Sequence, residues 1–222
     1  MTQITNAKVK IFPDYKIENS YENLIVVGID EAGRGPIAGP VVAACAFLDR
    51  DFLQDKICGE INDSKKISAK KRRDIFLHLK QKIKYGIGVV DEKIIDEINI
   101  LEASKIAMLM AYEDFCKNNK MAPQVLLVDG NFKPFALRDK ISAIVPIVKG
   151  DQKSLSIAAA SILAKETRDE IMLNLHQKYQ QFAWDKNAGY PTKLHLEALE
   201  KFGICEFHRR SFAPVKKILA GI

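Results

Sequence analysis

The sequence predicts an α/β domain built on a mixed sheet. Short apolar runs rich in β-branched residues alternate with segments of helical length, and Gly- or Pro-bearing breaks separate the two. Strands come early, with helices between and after them, the order expected of a sheet covered by helices.

Taken in order, residues 24–29 and 41–48 are continuous apolar runs, and the Gly- and Pro-punctuated residues 31–40 between them read as a special loop. Residues 85–90 form a third run, weakened as a strand by two glycines, and residues 125–128 and 143–148 bring the set to about five. Ser68 is placed to cap a helix reaching about residue 84, and residues 91–98 and 101–116 have helical composition. The longest helix is expected over residues 154–180, with Ile157, Ala160, Ala164, Ile171 and Leu175 as its apolar stripe. A further helix over residues 192–202 stops at Gly203, a natural C-cap, and the tail from Ser211 reads as a helical appendage. No repeat, low-complexity tract or linker marks a boundary within residues 20–200.

At 222 residues the chain is long enough to bury a substantial core unaided. No apolar run approaches the roughly 18 residues of a membrane span. Residues 1–14 carry neither the apolar centre nor the cleavage pattern of an export signal, so a cytoplasmic location is expected. Cys45, Cys58, Cys116 and Cys205 lie far apart with no C-x-x-C and no His at zinc-ligand spacing, which argues for reduced thiols, without disulfide framework or structural zinc. The net charge of +6 favours polyanionic partners. Basic residues clump at Lys65-Lys66, at residues 70–73 and at Arg209-Arg210. Each clump alone is ordinarily a solvated face.

Three apolar runs end in carboxylates. Asp30 and Glu31 close the first, and two adjacent acids at a strand end repel each other unless solvated or bound to a cation. The glycines that follow, in Gly33-Arg34-Gly35-Pro36, let the backbone turn and offer amide hydrogens to a phosphate, but they fit neither the dinucleotide nor the P-loop pattern. Asp129 precedes Gly130, a pair that alone signals a turn, and Asp151 follows Lys149-Gly150. Neighbouring parallel strands, or antiparallel ones meeting at opposite termini, would gather Asp30, Glu31, Asp129 and Asp151 into one cluster. Oxygen ligands of this kind suit Mg²⁺ or Mn²⁺, and two such ions about 4 Å apart serve phosphate hydrolysis.

The string Asp30-Glu31-Ala32-Gly33-Arg34-Gly35-Pro36 with Gly39-Pro40-Val41-Val42 resembles the opening signature of the bacterial ribonuclease HII family. Four later blocks agree in order: Asp63-Ser64-Lys65-Lys66, Val128-Asp129-Gly130, Lys149-Gly150-Asp151 leading into residues 158–165, and His208-Arg209-Arg210-Ser211-Phe212. The resemblance implies a ribonuclease H-like fold, a mixed five-stranded sheet flanked by helices, followed by a helical C-terminal part. It divides the chain into an N-terminal extension (residues 1–20), a catalytic domain (21–185) and a C-terminal helical part contributing to substrate binding (186–222). It implies that Asp30, Glu31, Asp129 and Asp151 are the catalytic, metal-holding carboxylates, that Gly33-Arg34-Gly35 senses the ribonucleotide, and that Tyr190 stacks near the ribose at an RNA–DNA junction. An extra N-terminal domain and the different loop of type III enzymes are not seen, which favours type II.

The implied reaction is hydrolysis on the 5′ side of a ribonucleotide, in RNA–DNA hybrid or in duplex DNA holding a single ribonucleotide, by a monomer using two Mg²⁺ or Mn²⁺ ions. Only the 2′-hydroxyl reports sugar identity, and Gly33, Arg34 and Gly35 are suited to read it. Lys65, Lys66, Lys165 and Arg209 are expected to clamp phosphates. Asp169, next to Arg168, reads as a helix salt bridge, and Ser68-Ala69-Lys70-Lys71 as a capped basic helix start rather than an acyl-transfer motif. Phe182 and Trp184 are expected to pack, and the scattered histidines support no triad. Two other classes share features with this reading: a hybrid-binding module with a degraded site, and a nucleotidase acting on small molecules. Intact acids argue against the first and the extended basic surface against the second.

Overall fold

The computed structural model describes residues 12–134, 137 and 139–221. Most of the opening stretch that lacks an export-signal pattern lies outside the described residues, as does the greater part of the expected N-terminal extension. The strands are β1 (Val26–Ala32), β2 (Val41–Phe47), β3 (Lys84–Val90), β4 (Val125–Asp129) and β5 (Ala143–Ile147). The helices are α1 (Lys16–Asn19), α2 (Ala69–Lys82), α3 (Glu92–Ile98), α4 (Ile100–Asn119), α5 (Leu155–Lys178), α6 (Trp184–Asn187), α7 (Lys193–Phe202) and α8 (Ala213–Leu219).

The five strands form one mixed sheet in the order β3-β2-β1-β4-β5. β1, β2 and β3 are an antiparallel meander, while β4 and β5 run parallel to β1. All five expected strands are present, within a few residues at each end. β3 holds its place because of its glycines: a Cβ on Gly86 would stand 2.2 Å from the Phe115 amide nitrogen, and one on Gly88 2.0 Å from the Ala107 carbonyl. The missing side chains let α4 lie directly on the sheet, which offsets the entropic cost of glycine in a strand.

Helix α4 covers one face, burying Ala103, Ala107, Met108, Ala111 and Phe115 against Val27, Ile29 and Val41. Helix α5 covers the other, where Ala158, Ala159, Ile162 and Leu163 meet Ala44, Ala46 and the α2 residues Ile75, Phe76 and Leu79. The expected apolar stripe of α5 is instead an apolar cylinder: every residue from Leu155 to Ala164 is buried. This half of the helix runs between the sheet and α2, so it has no solvent side, whereas Ile171 and Leu175 further along are only half-buried. Ser68 caps α2, Ser154 caps α5 and Gly203 ends α7. The buried Glu18 of α1 accepts from Ser154 and Ser156 at the start of α5, fastening this short helix to the domain.

A smaller cluster holds the C-terminal part: Ile37, Met172, Phe182, Trp184, Leu199 and Val215 pack together, so Phe182 and Trp184 are core residues. The four cysteines are free, Cys45 buried and the rest half-buried. Among the described residues no helix is long and apolar enough to cross a membrane.

Candidate active site

Parallel pairing brings the acids together. Ile29 of β1 pairs with Val128 of β4, so Asp30 and Asp129, one residue on, leave the same sheet edge side by side. Asp129 pairs with Ile147 of β5, whose chain then turns so that the Gly150 amide donates to Asp129 Oδ1 at 2.6 Å, placing Asp151 beside it. Asp30, Glu31, Asp129 and Asp151 line one cleft of about 580 Å³ together with Gly33, Arg34, Gly35, Lys65, Lys165 and Tyr190.

The electrostatics are strained. Asp30 is buried, and burial, then the charges of Glu31 and Asp129, raise its pKa well above the carboxylate range. Burial also raises Glu31, against the lowering effect of Arg34, whose Nη1 lies 3.3 Å from Glu31 Oε1. Asp151 is pushed up to about 6 by burial, Asp129 and Asp63, with Lys65 and Lys66 opposing. Glu31 Oε2 is buried without a hydrogen-bond partner. An all-oxygen cluster with an orphaned carboxylate oxygen fits a hard divalent cation. Among the described residues no three His, Cys, Asp or Glu side chains converge enough to cage an ion by themselves. Mg²⁺ usually takes one or two carboxylates and completes its shell with water and substrate phosphate.

Of the expected phosphate clamps, Lys65 is exposed and lines the cleft, on a turn where its backbone amide donates a hydrogen bond to the carboxylate of the buried Asp63. Lys66 is absent from the cleft lining and lies 3.8 Å from Asp63. Lys165 lines the cleft but is ion-paired with Asp169, which also meets Arg72 at 3.6 Å. The Asp169 salt bridge is therefore real, although its partners are Lys165 and Arg72.

Arg209 is a correction. It is fully buried and cannot clamp phosphate; its Nε, Nη1 and Nη2 donate to the carbonyls of Gly33, Arg34, Pro36, Gly39 and Pro40. The whole donor fork of the guanidinium is spent on the loop after β1. Burial and the nearby Arg168 push its pKa down to about 9, so it stays charged at neutral pH.

Arg168 is a site residue that the sequence alone does not mark. It is buried on α5 and donates to the carbonyls of Pro40, Ala38 and Ala188, tying the same loop to the turn before Tyr190. Its signal was a charged residue four positions after Ala164 on the buried side of a helix. Gly33 has φ +102°, and a Cβ there would meet Arg168 Nε at 2.2 Å, so the loop needs glycine on both counts. Ser161 and Ser64, 3.1 Å apart and buried in the cleft floor, were likewise seen only as parts of longer blocks.

Residues 27–215 match the family model described as Ribonuclease HII. Ribonuclease HII of Chlamydia trachomatis serovar L2 is 47% identical over 209 residues, which span 93% of this chain and 89% of that protein. Among solved structures, the chain is similar to ribonuclease H2 from Pyrococcus horikoshii OT3, with a TM-score of 0.69 and 30% identity over 88% of this chain and 97% of the other. It shares its fold with Bst-RNase HIII, solved in complex with Mn²⁺, at a TM-score of 0.71 and 23% identity over 89% of this chain and 70% of the other. Fold and sequence together define the class, a hydrolase with the ribonuclease H2-like sheet. The chain belongs to the ribonuclease HII family and is an endoribonuclease.

Proposed function

We propose that the protein hydrolyses the RNA strand of RNA–DNA hybrids and incises duplex DNA on the 5′ side of a single embedded ribonucleotide, leaving 3′-hydroxyl and 5′-phosphate ends. One observation carries the reading: strand-end carboxylates, the glycine loop and the Tyr190 ring share a single cleft. Acids alone would serve many phosphate substrates. The loop and the ring add a means of telling ribose from deoxyribose.

Asp30, Glu31, Asp129 and Asp151 are the residues that would hold Mg²⁺ or Mn²⁺, two ions at turnover. Bound there, divalent ions supply charge neutralisation at the scissile phosphate and a water acidified for attack. The chain's own groups do the rest. Arg34, exposed beside Glu31, and the backbone of Gly33 and Gly35, which line the same cleft, would read the ribose 2′-hydroxyl. Tyr190, an exposed residue, offers its ring as a flat face for the adjoining sugar and base. Lys65 holds a flanking phosphate, and Lys165 joins it by exchanging Asp169 for phosphate. Lys66 contributes long-range charge. The C-terminal part, residues 186–222, forms the substrate-binding side through Tyr190. A monomer in the cytoplasm suffices for this chemistry.

The test is cleavage of three labelled duplexes with Mg²⁺ or Mn²⁺: a hybrid, a DNA duplex with one ribonucleotide, and all-DNA. The reading expects single cuts 5′ of the ribonucleotide and an intact all-DNA duplex. A protein that binds hybrid without cutting, or that hydrolyses free nucleotides, would overturn it.

A further inference from the structure

Beneath Tyr190 lies a chain of polar groups inside an otherwise apolar cluster. The His195 Nδ1 is 2.9 Å from the Tyr190 carbonyl, its Nε2 is 3.1 Å from Trp184 Nε1, and the same Nε2 is 3.1 Å from His208 Nε2. His208 Nδ1 accepts from the Cys205 amide at 3.0 Å. Both histidines are buried.

One tautomer assignment gives each of these four contacts a donor and an acceptor, with Trp184 and His208 sharing the one lone pair of His195 Nε2. A carbonyl only accepts, so His195 carries its proton on Nδ1 and donates to Tyr190; its bare Nε2 then accepts from Trp184 and from His208. His208 carries its proton on Nε2, leaving Nδ1 bare for the Cys205 amide. Both rings are neutral, in keeping with burial lowering both pKa values, that of His208 to about 4. Apolar side chains would fill this space without the cost of desolvating two imidazoles. What the histidines add is direction, since each bond has one donor and one acceptor.

The chain ends on both halves of the proposed ribose reader. At one end is the Tyr190 carbonyl. At the other, the side-chain bonds stop at the Cys205 amide, while the His208 backbone bridges Ala38 and its neighbour Arg209 holds carbonyls from Gly33 to Pro40. We infer that the His195–His208 pair is a positioning element for ribonucleotide recognition, locking the Tyr190 turn to the segment that carries Arg209 and so setting the ring against the Gly33–Gly35 loop. This rests on the reading of Tyr190 as a ribose-stacking residue.

The experiment is a double-mutant cycle on kcat/KM with a single-ribonucleotide duplex, melting temperature being measured for each variant. His195→Leu removes the donor to Tyr190, whereas His195→Asn keeps an amide nitrogen near the place of Nδ1. His195→Leu is expected to lose about tenfold in kcat/KM and His195→Asn to recover most of it, the coupling being of the size seen between contacting residues. In a Tyr190→Ala background the same substitution is expected to cost less than about twofold, because the group it positions is gone. Should His195→Leu fail to fold, His208→Leu against His208→Gln, which keeps a donor toward His195, gives the same comparison. Equal losses in both backgrounds, or no rescue by the amide variants, would overturn the positioning role while leaving the Tyr190 reading intact. A Tyr190→Ala variant with unchanged kcat/KM would overturn both, and would place the error in the Tyr190 reading.

Discussion

The Tyr190 ring and the Gly35 backbone face each other across the cleft mouth at a separation that one methyl group would close. A Cβ on Gly35 would stand 3.3 Å from Tyr190 Cε1. Gly35 is not among the residues with positive φ, so alanine is tolerated by the backbone and the whole effect falls on the ring. Gly35→Ala is expected to change stability by under about 0.5 kcal/mol while lowering kcat/KM on a single-ribonucleotide duplex by about tenfold, or 1.4 kcal/mol. Kinetics and thermal melts on the same preparation check this. A large melting shift with unaltered kinetics would remove Gly35 from the reader.

Arg209 separates a loop organiser from a phosphate clamp. Arg209→Ala takes a donor from five carbonyls, of which Pro40 keeps the bond from Arg168. The expected destabilisation is on the order of 3 kcal/mol, or roughly 6–12 °C in melting temperature. For any variant that stays folded, the slope of log K against log salt should match the wild type, since no phosphate contact is lost.

Lys65 and Lys66 are adjacent in sequence but differ in place. Lys65→Ala is expected to flatten the salt slope of hybrid binding by roughly one unit or less, and Lys66→Ala to change it distinctly less. Fluorescence anisotropy at several salt concentrations measures both slopes. Equal effects would mean that the cleft lining does not mark the phosphate path.

Asp151 gives a pH signature. Its folded pKa of about 6 lies above the ordinary value of 3.8, so the folded state holds the proton more tightly between these limits. The stability this contributes is full below about pH 4 and is lost as pH rises through about 6. Asp151→Asn should therefore melt higher than wild type at pH 7 without divalent ions, with the gap closing by pH 4. Because Asp151 is half-exposed, solvent screening reduces the effect to the order of 1 kcal/mol, about 2–4 °C. Saturating Mg²⁺ should narrow the gap at pH 7 by stabilising the wild type alone.

Much of this is legible in the sequence because the signals are local. Apolar runs ending at Asp30 and Asp129 declare both the strand and the residue at its tip, Asp151 sits in the turn beyond the end of β5, and the parallel order of β1, β4 and β5 does the gathering. What could not be read was the partner of a charge. Arg209 and Lys65 are both basic residues in basic clumps, yet one donates to carbonyls 169 to 176 positions away and the other faces the cleft. Carbonyl acceptors leave no mark in a sequence, so a buried arginine is indistinguishable there from a phosphate-binding one. The His195–His208 pair was invisible for the same reason: two residues 13 apart on either side of a helix end meet only through tertiary packing.

The central claim is that the strand-end carboxylates cut at a ribonucleotide. Single-turnover cleavage of a duplex with one embedded ribonucleotide, at saturating Mg²⁺, compared between wild type and Asp129→Asn, tests it most directly, with binding measured alongside. The account predicts one cut 5′ of the ribonucleotide by the wild type, and less than about a tenth of that rate in the variant with binding retained or tightened, since enzyme accelerations exceed roughly 10⁶-fold. A variant that keeps more than a tenth of the rate, or a wild type that cuts all-DNA duplex as readily, would contradict it.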